Sequence, residues 1–208
     1  MEPVIVPSII AESQEELDEM LERVRGRATR IMLDIMDGEF VENESLNFEI
    51  RVPGGFVFEA HLMVKQPLAW LEKNGEKVDI AIFQVETLDD VGAAISEAHG
   101  RGLEVYLALN PETGIEEVLD HMDNVDGVLV LTVNPGSFCV EFIPETLEKV
   151  RRLREIKPEI PIEVDGCMNP DHIRLASQAG ANIFDSGSYV MKSDDVEAAL
   201  AELRDAAG

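Results

Sequence analysis

"RIMLDIMDGEF", residues 30–40, decides how this chain is read. Residues 30–36 have the apolar run of a buried strand, yet Asp34 sits in the middle of it. A carboxylate in an apolar setting must be paired or hydrogen-bonded to be tolerated. Asp34 is therefore either a cap on a loop amide or a group with a chemical task. Asp37 and Gly38 follow where the strand should end. The stretch leaves both readings of Asp34 open, and its neighbours must decide between them.

Working outward, apolar runs alternate with amphipathic ones. Strands are expected at 4–10, 30–36, 56–64, 78–85, 103–109, 127–133, 161–165 and 181–186. Helices are expected at 13–26, 67–75, 88–102, 113–122, 143–156, 169–180 and 194–207. In the first helix Leu17, Met20, Leu21 and Val24 recur at helical spacing, behind Ser13 as cap and ahead of Gly26 as stop. Strand–helix alternation implies parallel pairing with crossovers. Eight such units predict an α/β fold, a (β/α)8 TIM barrel, occupying residues 1–208 as a single domain. Only residues 41–55 lack clear periodicity, and Pro53-Gly54-Gly55 closes them. A shortened second helix or a loop is expected there.

The bulk composition excludes several classes. With 42 acidic and 17 basic residues the formal net charge is −25, which repels nucleic acid. No apolar run reaches the roughly 18 residues of a membrane span. The start has no basic n-region of a secretory signal, so a cytoplasmic protein is expected. With two cysteines and that compartment's reducing conditions, no disulfide framework is expected.

In such a barrel the chemistry sits at the C-terminal ends of the strands. The polar residues follow that rule. Ser8 ends the first strand, Asp34 and Asp37 the second and His61 the third. Asn134 and Gly136 follow the sixth, Asp165 and Gly166 the seventh, and Gly187 and Ser188 the eighth. Asp34, His61 and Asp165 together suit a divalent cation. Two carboxylates facing each other across a substrate suit proton removal beside a carbonyl, one taking the proton and the other returning one. A cation would stabilise the resulting enediolate oxygens as a Lewis acid. Backbone donors after the last strands suit a phosphate.

Read together, "VPSII" (6–10), "LDIMDGEFVEN" (33–43), "HLMV" (61–64), "ALNPET" (108–113), "LTVNPG" (131–136), "EVDG" (163–166) and "SGS" (186–188) resemble the ribulose-phosphate 3-epimerase family, in order and spacing, over nearly the whole chain. The resemblance implies a TIM barrel that inverts C3 of ribulose 5-phosphate and xylulose 5-phosphate. It implies Asp34 and Asp165 as the acid/base pair, with Asp34, His61 and Asp165 holding Zn, Fe, Mn or Co. Ser8, Met36, Met63, Gly136, Gly166, Gly187 and Ser188 match substrate-contacting positions. Asp37 matches a rim residue that holds a loop. A homo-oligomer and a phosphosugar substrate are also implied, with neither nucleic acid nor membrane as partner.

The departures are specific. Met32 stands where the family has a further ligand, a histidine, and a thioether is a soft donor poorly suited to such cations. Leu131 replaces a methionine and Gln84 a histidine. "GSFCVEF" (136–142) replaces a glycine-rich loop, and Cys167 replaces a second glycine after Asp165. Cys139 and Cys167 are expected near one another at the mouth, as a soft ligand or redox-sensitive pair. These changes leave two alternatives standing: an epimerase for another ketose phosphate such as allulose 6-phosphate, or a phosphosugar-binding barrel with weakened catalysis. Barrels that decarboxylate or condense sugar phosphates carry an Asp-x-Lys-x-x-Asp strand, and no lysine follows Asp34 in that pattern.

Overall fold

The computed structural model describes residues 2–136 and 141–208. The expected first strand is split at Pro7 into β1 (Val4–Val6) and β2 (Ser8–Ile9). Proline has no N–H to give to a ladder, and the break falls there. The rest are β3 (Arg30–Asp37), β4 (Glu44–Ser45), β5 (Val57–Met63), β6 (Ile80–Gln84), β7 (Glu104–Leu109), β8 (Gly127–Leu131), β9 (Ile162–Asp165) and β10 (Ile183–Asp185). Neighbours pair in parallel around the ring; β1 pairs with β10 and β2 with β3, so the two halves of the first strand close the barrel.

Helices α1 (Gln14–Val24), α2 (Pro67–Asn74), α3 (Val91–Gly100), α4 (Glu116–Leu119), α5 (Leu147–Ile156), α6 (Pro170–Ala179), α7 (Ser188–Met191) and α8 (Val196–Ala207) occupy the crossovers and the end of the chain. Four of their starts carry a side-chain cap. Ser13 Oγ accepts the Glu16 amide at 3.2 Å, Asn169 Oδ1 accepts those of Asp171 and His172, and Asp195 Oδ1 accepts that of Ala198. Such caps satisfy donors that the helix cannot. Among the described residues no helix is long and apolar enough to cross a membrane.

β3 is buried on both faces, and its two parities go to different cores. Ile31, Leu33 and Ile35 join the shell that packs under the helices with Leu17, Leu21 and Leu200. Met32 belongs to the barrel interior with Val6, Ile80, Ile82 and Leu129. Asp34 and Met36 share Met32's parity and so point inward too. The barrel interior is a packed core, not a pore.

The second crossover corrects the expectation of a shortened helix. Residues 38–55 carry no helix. Instead β4 folds back antiparallel on the end of β3, with Met36 opposite Ser45. Leu46, at φ 51°, donates its amide to Ala11 O at 2.8 Å, and Ser45 Oγ accepts the Ala11 amide. Leu46 and Ile50 are buried, so this loop contributes to the core without helical periodicity. The expected 113–122 helix is confined to α4, and α7 forms a turn of helix where none was expected.

Candidate active site

A cavity of about 530 Å³ opens at the C-terminal ends of the strands. Asp34 and Asp165 line it from β3 and β9, Ser8 from β2, and Met36 and Met63 from the ends of β3 and β5. Gly136, Gly166, Gly187 and Ser188 line it from the loops after β8, β9 and β10. The structure thus brings the expected site residues together. His61 is the one that does not line the cavity; it is fully buried behind the carboxylates.

Register explains the convergence. Asp34 lies opposite His61 across the β3–β5 ladder, and Asp165 lies opposite Leu131 and Asp185 in its own ladders. His61 Nδ1 is 3.3 Å from Asp34 Oδ1 and 4.0 Å from Asp165 Oδ2. One ligand atom from each of the three residues lies within 4.8 Å of the others. Behind the imidazole, Gln84 Nε2 is 2.8 Å from His61 Nε2, while the buried Gln84 Oε1 has no partner. Turning the Gln84 amide by 180° exchanges donor for acceptor without moving a heavy atom. His61 Nε2–H then donates to Oε1, and Nδ1 presents its lone pair to the two carboxylates. A histidine so oriented from behind is the usual state of a metal ligand. These three residues therefore fit a divalent cation. Met32 adds nothing to that set, since it lies in the apolar interior cluster with Ile80, Ile82 and Leu129.

Gln84→Ala is expected to weaken divalent-cation binding about 10- to 100-fold, as loss of such a supporting contact does. Equilibrium dialysis against Mn²⁺ or Zn²⁺ reads this directly. Unchanged affinity would show that His61 does not face a cation.

The electrostatics of the metal-free cluster separate its members. Burial, with the nearby negative charge of Asp34, pushes Asp165 up to about 7, against the lowering influence of His61. Burial alone would lower the His61 pKa, but the hydrogen bond and charge of Asp34, with Asp165 behind, carry it upward. Asp37 serves the rim: it accepts the amides of Glu39, Phe40 and Lys65 at 2.9, 3.0 and 2.7 Å. Although partial burial opposes it, those backbone bonds hold its carboxyl below the usual range.

Two glycines shape the far side of the cavity. Gly166 has φ 118°, and a Cβ there would lie 2.7 Å from Val133 Cγ2. A Cβ on Gly187 would lie 2.7 Å from Ser8 Oγ. Thr132, which the sequence reading passed over, clamps this wall: its hydroxyl reaches the carbonyls of Asp165 and Gly166 at 2.9 and 2.8 Å. Cys167, in the place of a second glycine, takes φ 54°, the left-handed conformation that glycine adopts at least cost. Phe138 and Cys139 lie outside the described residues, and with them the expected Cys139–Cys167 contact.

Asp185 was also missed. It lines the cavity beside Asp165, is 1% exposed, and both its carboxylate oxygens are unpartnered. Below it, toward the N-terminal ends of the strands, Glu59 and Glu163 are fully buried and both pair with Arg30. Burial first, then the charges of Glu163 and Glu59, push the Asp185 pKa well above its ordinary 3.8. A carboxyl raised by folding favours the native state below its unfolded pKa. That contribution is lost as pH rises through the folded value. Asp185→Asn is therefore expected to leave stability unchanged near pH 4 and to raise it by about 1 kcal/mol or more at pH 8. Urea denaturation at the two pH values checks the sign.

Known proteins resemble this chain in sequence and in fold. The sequence profile of the ribulose-phosphate 3-epimerase family matches residues 4–191. A ribulose-phosphate 3-epimerase from Mycobacterium tuberculosis is 34% identical over 219 residues, covering 99% of this chain and 93% of that protein. The cytoplasmic isoform of ribulose-phosphate 3-epimerase from Oryza sativa is 33% identical over 211 residues, covering 97% of this chain and 91% of that protein. Among solved structures, a 3-hexulose-6-phosphate synthase from Salmonella typhimurium superposes with a TM-score of 0.69 at 13% identity, over 98% of each chain. That last likeness shows the barrel fold alone.

Proposed function

The chain belongs to the ribulose-phosphate 3-epimerase family, and from that premise we propose that it inverts C3 of a ketopentose 5-phosphate by proton transfer between Asp34 and Asp165. The observation that carries this reading is that Asp34 and Asp165 line one cavity, with His61 buried behind them and one ligand atom of each of the three within 4.8 Å of the others.

The roles follow from the proton inventory. In the metal-free cluster burial and the charge of Asp34 push Asp165 up to about 7, and we assign it as the proton donor of the pair. Asp34 takes the C3 proton. The C3–H electron pair moves into conjugation with the C2 carbonyl and gives an enediolate. Asp165 then delivers its own proton to the opposite face of C3, and the configuration is inverted. The reverse reaction exchanges the two roles. Asp34, His61 and Asp165 would hold a divalent cation such as Zn, Fe, Mn or Co. Such an ion supplies Lewis-acid stabilisation of the negative charge that develops on the substrate oxygens. Met36 and Met63, buried at 2% and 4% exposure, give the cavity an apolar wall that keeps water from the carbanion face. The backbone at Gly166, Gly187 and Ser188 holds the substrate's other end, its phosphate, while Ser8 and Gly136 contact the substrate.

The working site is read as cytosolic, supported by the cytoplasmic isoform among the relatives. A substrate panel tests the assignment: purified protein supplied with each of the four cations, with ribulose 5-phosphate and allulose 6-phosphate as alternatives. Turnover of the pentulose phosphate in clear excess over the hexulose phosphate is expected. The reverse order would move the assignment to the longer sugar.

A further inference from the structure

We infer that Lys192 supplies the positive charge that selects a phosphorylated substrate in this cavity. The inference deepens the phosphosugar reading above and rests on it. The charged side chains lining the cavity among the described residues are Asp34, Asp165, Asp185 and Lys192. Lys192 is thus the one basic side chain among the described lining residues, on a chain of net charge −25 that otherwise repels a phosphate dianion. In the sequence, residues 137–140 read Ser-Phe-Cys-Val and include no basic residue.

Lys192 sits where a phosphate would need it. It follows α7 directly, its own amide closing that turn onto Ser188 O. The same short segment contributes Gly187 and Ser188 to the cavity wall. Among the described residues the amides of Gly187 and Ser188 donate to no protein acceptor. The Lys192 ammonium likewise has no ion pair or hydrogen bond among them. In a chain with 42 acidic residues, an uncommitted lysine at the wall of the cavity stands out. Lysine acts on phosphate as a compact, mobile point charge. It would complement a cradle in which one backbone position, Cys167, now carries a side chain.

Binding of inorganic phosphate and of ribulose 5-phosphate to the purified full chain, by calorimetry, tests this together with steady-state kinetics. Lys192→Gln is expected to weaken both ligands, and to raise KM, by about tenfold, the loss of one charge-assisted contact. Because Lys192 is assigned to the phosphate and not to the proton path, kcat should stay within about twofold. Lys192→Arg should restore affinity to within about threefold, since the charge is kept. Added salt should narrow the gap between wild type and Lys192→Gln. Equal phosphate affinity in wild type and Lys192→Gln overturns the inference. Weaker phosphate binding by Lys192→Gln in a protein that epimerises neither sugar would uphold the lysine and sink the epimerase reading instead.

Discussion

Asparagine at position 34 or 165 is expected to lower kcat for C3 inversion by about 10²- to 10⁴-fold, the range over which a positioned proton donor or acceptor contributes. The substitution keeps the size of the side chain and removes its ability to carry a proton. The effect on the fold should run the other way for Asp165. In the metal-free protein that carboxyl is pushed up to about 7 by burial and by Asp34. Its ionised form is therefore strained at neutral pH, and the amide relieves the strain. Asp165→Asn should thus match or exceed wild type in urea while losing activity. A kcat loss below about tenfold in either variant would remove that residue from the proton path.

Arg30→Ala is expected to cost about 3–5 kcal/mol of stability, the usual result of stripping one partner from a buried ion pair. Arg30 is the shared counter-ion of Glu59 and Glu163, both with no side-chain exposure, and its guanidinium lies 5.3 Å from the Tyr106 ring centre. Glu59 is already pushed well above its ordinary value by burial and by Glu163, with Arg30 opposing. Without Arg30 the acidic column from Asp185 to Glu59 has no internal cation. Thermal melting should fall by roughly 10 °C, at about 2–4 °C per kcal/mol for a chain of this size. Adding Glu163→Gln to the Arg30→Ala chain should recover part of the loss. A cost below about 1 kcal/mol would mean that the column is kept neutral by protons rather than by arginine.

The barrel was legible because parity and period are local. The run around Asp34 alternates between two cores, and this alternation can be read residue by residue. The placement of Asp34, His61 and Asp165 in the C-terminal halves of their strands needed only strand boundaries and the rule for barrels. What escaped depends on which strand lies beside which, and at what register. Gln84 reads as a polar strand end until β5 and β6 are paired and its amide meets His61. Thr132 matters only because β8 lies against the end of β9. Arg30 and Glu163 are 133 residues apart, so nothing local announces their pairing. Asp185 carries the same signal as Asp34, an acid in an apolar run. The second crossover was open between helix and loop because Leu46 and Ile50 are buried without helical spacing; tertiary contacts with Ala11 decide it.

Solvent deuterium at C3 tests the two-carboxylate account most directly. Ribulose 5-phosphate incubated in D₂O with wild-type protein and added Zn²⁺, Mn²⁺, Co²⁺ or Fe²⁺ should acquire one deuterium at C3, in both epimers, and Asp34→Asn and Asp165→Asn should suppress it. Proton NMR would then show the C3 signal vanish from substrate and product alike. Absence of exchange with every cation, or epimers that keep their original C3 hydrogen, would contradict it.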